Sequence, residues 1–344
     1  MKALTSIAWT VLAMFGIVIV LGDFAAPYDH TSQLRSEPSA PPSVIRFRDQ
    51  EGVLHVRPFI YRQKLVDPLS RTYEEDKSTQ FPLTLFSAGD QYSLLGIFSA
   101  QTHLFGVETT IGAPRIHVLG TDELGRDRFS RLLRAIRFSL IVCPLGAVLA
   151  WLIGVSIGLI SGSLGARTDS LLMGIADTML ALPALVVILA ARAAFPLELS
   201  PLRAAILLMS IFAVFGWAET ARLTRGLVRS IRPQEYILAA RTIGLSDTGI
   251  MLKHILPNAL PAILRQGLVT LPAFLLAEVA LSFLGVGLQE PEPSLGTLLG
   301  AAADVNQLQR DPLIVLAPGI VITVFVLAIR IIGRSPAQRA KFSF

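Results

Sequence analysis

Long stretches without a charged residue constrain this chain more than any other feature. Twenty uncharged residues separate Lys2 from Asp23, 29 separate Arg137 from Arg167, and 18 more occupy positions 312–329. About 20 helical residues cross the roughly 30 Å hydrocarbon core of a bilayer, so each stretch predicts a membrane-spanning helix. The composition agrees, because only 16% of the residues are charged, against about 25% in a soluble domain.

Three further spans are predicted if each tolerates one acidic residue. They are residues 171–191 with Asp177, residues 204–217 followed by Glu219, and residues 266–289 with Glu278. A carboxylate in hydrocarbon costs about 3 kcal/mol, so such a group faces water or a protein interior, or it lies near the headgroups or caps a helix. The expected fold is therefore an all-α polytopic membrane protein with about six transmembrane helices.

The distribution of basic residues predicts the orientation of these spans. The segment between spans four and five is rich in arginine and lysine, whereas the loop at residues 290–311 has one basic residue, Arg310, among four acidic ones. By the positive-inside rule the first segment is cytoplasmic and the second is external, and six spans then place both termini in the cytoplasm. A cleaved signal peptide at the first apolar stretch is the alternative, and it would leave five spans.

A polar segment at residues 27–118 separates the first span, residues 1–26, from a core region at residues 119–344 that contains the other five predicted spans. Residues 44–48 and 53–57 alternate partially and flank the Gly-containing turn 49–52, which predicts a β-hairpin. We expect a small, external, partly β insert between helices 1 and 2. Its histidines His55, His103 and His117 lack the spacing of metal ligands, and with one cysteine in the chain no thiolate cluster can form.

The segment at residues 235–257 is the most informative part of the chain. Residues 235–243 are compatible with a helix that Gly244 can end, and Ser246 or Asp247 can cap a second helix running toward Pro257. Small residues at Ala239 and Ala240 would let another protein approach the backbone closely.

This segment resembles the EAA loop of binding-protein-dependent ABC importer permeases. The family pattern is Glu-Ala-Ala, three residues, Gly, nine residues, Ile, one residue and Leu-Pro, and this chain departs from it at Leu238 and His254. With those two departures the segment resembles the form of the motif in the oligopeptide, dipeptide and nickel subfamily, and the chain resembles the C-type subunit of that subfamily. The resemblance implies that the loop, at about residues 219–262, couples to an ATPase through Glu235, Ala239, Ala240, Arg241, Gly244, His254, Leu256 and Pro257. We refer to residues 235–257 as the EAA segment.

Other segments resemble the same subfamily between His117 and Pro318. They include residues 117–131, the motif from Asp177 to Pro183, and residues 278–287. The resemblance implies two cytoplasmic ATPase subunits, a second permease subunit and an extracytoplasmic binding protein, which would deliver a small solute such as a di- or oligopeptide. The tail around residues 330–334 departs from the family pattern.

ATP is expected to bind to a partner and not to this chain. None of the five lysines is preceded by glycine, so the phosphate-binding GxxxxGK[ST] loop is absent from the sequence. We therefore predict a non-enzymatic membrane subunit without a cofactor of its own and without a nucleic-acid partner. An ATP-independent secondary transporter or channel is the alternative, and an intramembrane enzyme is a weaker one.

Two sets of side chains carry further expectations. Glu278 and Asp177 are candidates for lining the translocation path, because an acid within a span needs water or a polar partner. Arginines at 222, 225, 229 and 232 are spaced three, four and three apart, which places them on one helix face. Lipid headgroups or a partner protein could bind that face.

Overall fold

The computed structural model describes residues 2–94, 98–108, 113–196, 198–301, 308–309 and 311–333. The chain divides into two compact units. The helical unit consists of the start of the chain up to Val11, Ser139–Gln289 and the last helix from Thr323 onward, and the insert unit consists of Leu12–Phe138 with Glu290–Ile322.

Ten α-helices account for most of the described chain. They are α1 (Lys2–Ala25), α2 (Arg128–Ser163), α3 (Ala166–Ala181), α4 (Ala184–Ala193), α5 (Pro201–Ile231), α6 (Glu235–Thr242), α7 (Asp247–Ile250), α8 (Leu256–Phe283), α9 (Leu295–Gly300) and α10 (Leu313–Gly333). Among the described residues, five helical stretches are long and apolar enough to cross a membrane, and α3 with α4 makes a sixth if a bent pair is one span. The predicted helical membrane fold is confirmed.

The third predicted span is not one straight helix. α3 and α4 are bent by 89° at Leu182 and Pro183. Leu182 has extended backbone angles, φ −84° and ψ 140°, because the proline ring disfavours helical angles in the residue before it. Proline also lacks the N–H that would continue the helix of α3. A hydropathy count over residues 171–191 does not register this break.

The insert unit contains a four-stranded antiparallel sheet in the order β1-β2-β3-β4. Its strands are β1 (Arg46–Arg48), β2 (Leu54–Asp67), β3 (Thr72–Leu94) and β4 (Phe98–Val107). The predicted hairpin is present, with Arg48 opposite Leu54. Its turn is held by an Asp49 carboxylate oxygen, which accepts hydrogen bonds from the N–H groups of Glu51 and Val53. Strands β3 and β4 were not predicted, because polar residues in both and Pro82 in β3 interrupt the alternating pattern.

Glycines on one face of α2 set how closely it packs on α5 within the helical unit. A Cβ at Gly154 would lie 2.6 Å from the carbonyl oxygen of Trp217, and one at Gly158 would lie 2.5 Å from Thr224 Cβ. A Cβ at Gly162 would meet Val228 Cβ at 2.6 Å. Glycine at every fourth position thus allows the two backbones to touch, as in other membrane helix pairs.

Candidate functional site: the EAA segment and the helices that hold it

The EAA segment is a helix–turn–helix whose turn follows from its sequence. α6 ends in a Schellman motif, in which the N–H of Leu245 donates to the carbonyl of Ala240 and the N–H of Gly244 donates to that of Arg241. Gly244 has φ +89°, a conformation that side chains with a Cβ rarely adopt. The hydroxyl of Ser246 caps the next helix by accepting from the N–H of Gly249 at 3.2 Å. The predicted end of the first helix and the predicted start of the second are confirmed here.

The second helix does not end at Pro257. α7 passes into a π-helical turn, Met251–Ile255, and then directly into α8. The N–H of Leu256 donates to the carbonyl of Met251, five residues earlier. Pro257 would clash with a carbonyl four residues before it in a regular helix, and the wider turn just before the proline relieves this crowding. The EAA segment is therefore continuous with a long apolar helix.

Buried apolar residues anchor the EAA segment to three long helices. Ile237 and Ala240 of α6, with Ile250 and Ile255, belong to one buried cluster in the helical unit. The same cluster includes Leu159 of α2, Val228 and Ile231 of α5, and Ala259 and Ile263 of α8. Because a packed core transmits displacement with little compression, a movement of α6 is passed to α2, α5 and α8.

The opposite side of the EAA segment is exposed and partly apolar. Ile243 is 77% exposed, and Leu238, Leu252 and Tyr236 are also exposed. No atom lies within 4 Å of a Cβ built at Gly244. Exposed apolar side chains beside an open backbone are typical of a surface that binds another protein or a membrane. Ile243 and Leu252 were not singled out from the sequence, although both are apolar residues beside the predicted turn.

The predicted EAA residues divide between the two sides of the segment. Glu235, Ala239, Arg241 and Pro257 are exposed, and His254 and Leu256 are half-buried. Ala240 differs from the expectation of an open approach, because its side chain is buried in the anchoring cluster. Ala240 lies three residues after the buried Ile237, and the two side chains therefore lie on the same, buried face of α6. Arg241 donates to Asp247 across the turn at 2.9 Å.

Arg225 and Arg229 of α5 bind an acidic group of the same chain. Asp169, in the first turn of α3, accepts two hydrogen bonds from Arg225 at 2.7 Å and one from Arg229 at 2.5 Å. The Ser161 hydroxyl of α2 also donates to Asp169, at 2.6 Å. Asp169 thus ties α3 to the ends of α2 and α5. This buried carboxylate was not identified from the sequence, since it lies outside the apolar runs used to find spans.

Glu278 is buried and hydrogen-bonded within the helical unit. Its side chain is 0% exposed, and it accepts hydrogen bonds of 2.8 Å from the hydroxyls of Ser139 and Ser282. Ser139 is two residues beyond Arg137, at one end of the uncharged run of α2. Glu278 therefore has the polar partners that an acid within a span needs. Its role in a translocation path stays a prediction.

Asp177 is in a different environment from Glu278. Its carboxylate pairs with the Arg222 guanidinium, and the two side chains are 56% and 54% exposed. One turn earlier on α5, Glu219 accepts a hydrogen bond of 2.7 Å from the Gln266 amide of α8. Glu219, Arg222, Leu223, Gly226, Leu227 and Gln266 line an open groove of about 460 Å³. Polar groups thus line part of the exposed surface of the helical unit.

The three histidines singled out from the sequence each contact a group of the insert unit. His117 is buried and contacts Asp127 at 2.9 Å and Glu37 at 3.1 Å. Burial favours the neutral ring, but the two carboxylates outweigh it and raise the pKa of His117 above its usual value. His103 contacts the Asp90 carbonyl at 2.8 Å, and His55 contacts Asp49 at 2.8 Å. Within the described residues, no group of three His, Cys, Asp or Glu could hold a metal ion.

The loop before α9 is tied to the start of α2 within the insert unit. Glu292 accepts hydrogen bonds of 2.9 and 3.1 Å from Arg134. Burial of Glu292 opposes its ionised form, but bonds from His30 and Arg134 lower its pKa to about 2. Arg131 similarly donates to Glu290 at 2.7 Å. These ion pairs hold the polar segments of the unit together.

Comparison with known proteins identifies the family. Residues 154–341, more than half of the chain, match the family described as binding-protein-dependent transport system inner membrane component. The oligopeptide transport system permease protein OppC of Bacillus subtilis is 40% identical over 182 residues, which cover 53% of this chain and 58% of that protein. The dipeptide transport system permease protein DppC of the same organism is also 40% identical over 182 residues, covering 53% and 55%.

A second group of relatives matches over a longer region. The oligopeptide permease OppC of Mycobacterium tuberculosis is 32% identical over 219 residues, covering 63% of this chain and 72% of that protein. The matched part of the chain spans less than two thirds of either Bacillus relative. Among solved structures, an inward-facing MetNI methionine ABC transporter aligns with TM-score 0.49 and 17% identity, covering 61% of this chain and 95% of that one. The chain belongs to the family of binding-protein-dependent transport inner membrane components.

Proposed function

We propose that this chain is one of two permease subunits in an ATP-driven importer of di- or oligopeptides. Its family membership and the names of its relatives, which are peptide permeases, support this substrate class. The complex would contain a second permease subunit, two cytoplasmic ATPases and an extracytoplasmic binding protein. In this arrangement the termini and the EAA segment lie in the cytoplasm, and the β insert lies outside.

The exposed surface of the EAA segment carries the proposal. Ile243, Leu238 and Leu252 present an apolar surface next to the open backbone of Gly244. An ATPase that binds this surface can move α6 when it closes on ATP. The anchoring cluster then transmits the movement to α2, α5 and α8. Asp169 extends the connection to α3, so the spans reorient together and access alternates between the two sides.

Substitutions of Gly244 test this coupling. Gly244→Val forces a β-branched residue into φ +89°, so the turn and the exposed surface should shift, and uptake should fall while membrane insertion persists. Gly244→Asn is the matched control, because asparagine tolerates positive φ and should retain most of the uptake. The measurement is peptide uptake per ATP hydrolysed in proteoliposomes with the complete complex. Unchanged uptake in Gly244→Val would contradict the coupling role.

A secondary transporter or channel is the competing function. It predicts peptide uptake that survives when the ATPase subunits are omitted from the proteoliposomes, whereas an ATP-driven importer predicts its loss. Adding the ATPases back with a non-hydrolysable nucleotide separates binding from hydrolysis. Recovery only with hydrolysable ATP supports the proposed function.

A further inference from the structure

The end of α1 marks one boundary of the bilayer core. The uncharged run that follows Lys2 contains 20 residues and ends before Asp23, and at about 1.5 Å per residue it is as long as the roughly 30 Å core is thick. Asp23 pairs with Arg137, the residue that directly precedes the uncharged run of α2. Two spans therefore place charged groups at the same level, where the hydrocarbon ends.

Phe86 of strand β3 lies beside α1 at this level. Its ring stacks on the ring of Phe24, with 6.2 Å between the centroids and 30° between the planes. The side chains of a helix lean toward its N-terminus, which in α1 is the direction of the membrane core. The Phe24 ring therefore lies over the last turn of the uncharged run, and the stacked Phe86 ring lies at the boundary between acyl chains and headgroups.

The backbone of Phe86 adopts a conformation that is unusual for a large residue. Its φ is +56°, in the left-handed region where glycine and asparagine are favoured and a bulky side chain is an outlier. Phe86 is nonetheless 65% exposed, and its neighbour Leu85 is 71% exposed. Packing within the part of the chain that the structure describes therefore does not explain these two apolar side chains, and strained residues of this kind cluster at binding and active sites.

The apolar face of α1 continues into these side chains. Ile17, Leu21 and Phe24 are spaced four and three residues apart, which places them on one face of the helix. Ile17 and Leu21 are exposed and lie within the uncharged run. Phe86 extends this face beyond the helix, from the depth of the acyl chains to that of the headgroups. Phenylalanine and leucine are among the side chains that interfacial segments bury at this boundary.

The small extent of this surface favours lipid over a protein partner. Leu85 and Phe86 together expose about 250 Å², taking about 200 Å² for a fully exposed large apolar side chain, whereas a specific protein interface buries about 800 Å² on each partner. Two side chains are sufficient for contact with lipid, because α1 already holds this strand next to the bilayer and the contact carries no further cost of association.

We infer that Leu85 and Phe86, with Phe24, form an interfacial patch that inserts into the lipid bilayer between headgroups and acyl chains and fixes the insert unit on the membrane surface. The partner is the lipid itself, and the contact is apolar, so it needs no anionic headgroup. This inference goes beyond the proposed function. It depends on where α1 leaves the hydrocarbon, and it is independent of the solute, the ATPases and the side of the membrane on which the insert lies.

Spin labels test which environment surrounds the interfacial patch. The single cysteine, Cys143, is buried and is replaced by alanine, and a nitroxide is then attached at Leu85→Cys or Phe86→Cys. Leu69→Cys is the matched control, because Leu69 is also apolar and is 92% exposed. It lies in the turn between β2 and β3, up to about 40 Å from Leu85 along the extended strand. The labelled chain is purified with its partner subunits and reconstituted in phosphatidylcholine nanodiscs.

Collisions of the nitroxide with oxygen, which concentrates in lipid, are compared with its collisions with a water-soluble nickel chelate. We expect the ratio of oxygen to nickel collisions to be severalfold higher for Leu85→Cys and Phe86→Cys than for Leu69→Cys. A ratio equal to that of Leu69→Cys would place the patch in water and overturn the inference. Infrequent collisions with both reagents would place it against another subunit and also overturn it.

Two further comparisons separate lipid contact from the alternatives. Leu85 does not have a positive φ, so Leu85→Cys gives a result even where Phe86→Cys fails to fold. The measurement is also repeated on the chain purified without other subunits. A high ratio in both preparations supports lipid contact, whereas a ratio that is high only without the other subunits would show that one of them covers the patch and would overturn the inference.

Discussion

Gly158 offers the sharpest test of the packing that supports the EAA segment. In Gly158→Ala the new methyl would lie 2.5 Å from Thr224 Cβ and 2.6 Å from the Ala221 carbonyl oxygen, whereas carbon contacts are favourable near 3.5–4.0 Å. The obstacle includes backbone, so α2 and α5 must separate by about 1 Å. Overpacking of this kind costs about 1–3 kcal/mol.

Gly226→Ala is the matched control, because it adds the same methyl to α5 in open space. Any gain in helix propensity, at most about 1 kcal/mol, is similar in both variants and largely cancels. The difference between them should therefore be about 2 kcal/mol, or roughly 30-fold in the unfolding equilibrium. Denaturant titration in lipid–detergent micelles, followed by tryptophan fluorescence, measures it. Equal stability of the two variants would refute the close contact of α2 and α5.

Three further outcomes are expected. Asp169→Asn removes a buried carboxylate that accepts several hydrogen bonds and should destabilise the folded protein by about 2 kcal/mol. Asp177→Asn removes an exposed ion pair and should destabilise it by under about 1 kcal/mol. Equal shifts of the melting temperature in the two variants would contradict this difference. The pKa of His117 is raised in the folded protein. The stabilisation that protonated His117 gives is therefore complete below about pH 6.5 and is lost as pH rises through the folded pKa. Thermal melts at several pH values should show this loss in wild type and not in His117→Gln. Glu278→Gln keeps an acceptor for the two serine hydroxyls, so peptide uptake should change less than twofold, which corresponds to about 0.4 kcal/mol. A larger loss at unchanged stability would support a place for Glu278 in the translocation path.

Local chemistry explains why the EAA segment could be predicted in detail. The positive φ of Gly244 and the cap by Ser246 each depend on residues adjacent in sequence. The hairpin around Gly52 follows from the same kind of short-range signal. Membrane-spanning stretches were likewise evident, because bilayer thickness fixes the length of an apolar run.

Features that depend on contacts between distant segments could not be predicted. The Asp169 bonds join residues 56 and 60 positions apart, and an acid just outside an apolar run gives no sign of its partners. Glu278 was expected to need a polar partner, but the sequence does not show that Ser139, 139 positions away, is one of its partners. The burial of Ala240 depends on α2, α5 and α8 together.

The bend at Pro183 is an intermediate case. A proline in an apolar run is compatible with either a kinked span or a broken one, since neighbouring helices can satisfy the freed backbone groups. The extended backbone angles of Leu182 show that the helix is broken at this position. Hydropathy alone counts the two helices as one span, and the count of five or six spans depends on this single position.

The most direct test of the central claim uses Ile243, which is 77% exposed and can be changed with little effect on the packing of the chain. The measurement is ATP hydrolysis and peptide uptake by the complete complex in proteoliposomes, with the loaded binding protein present. We predict that Ile243→Leu retains both activities, whereas Ile243→Asp abolishes stimulated hydrolysis and uptake and weakens retention of the ATPase subunits. Wild-type uptake and ATPase retention in Ile243→Asp would contradict a coupling role for the EAA segment.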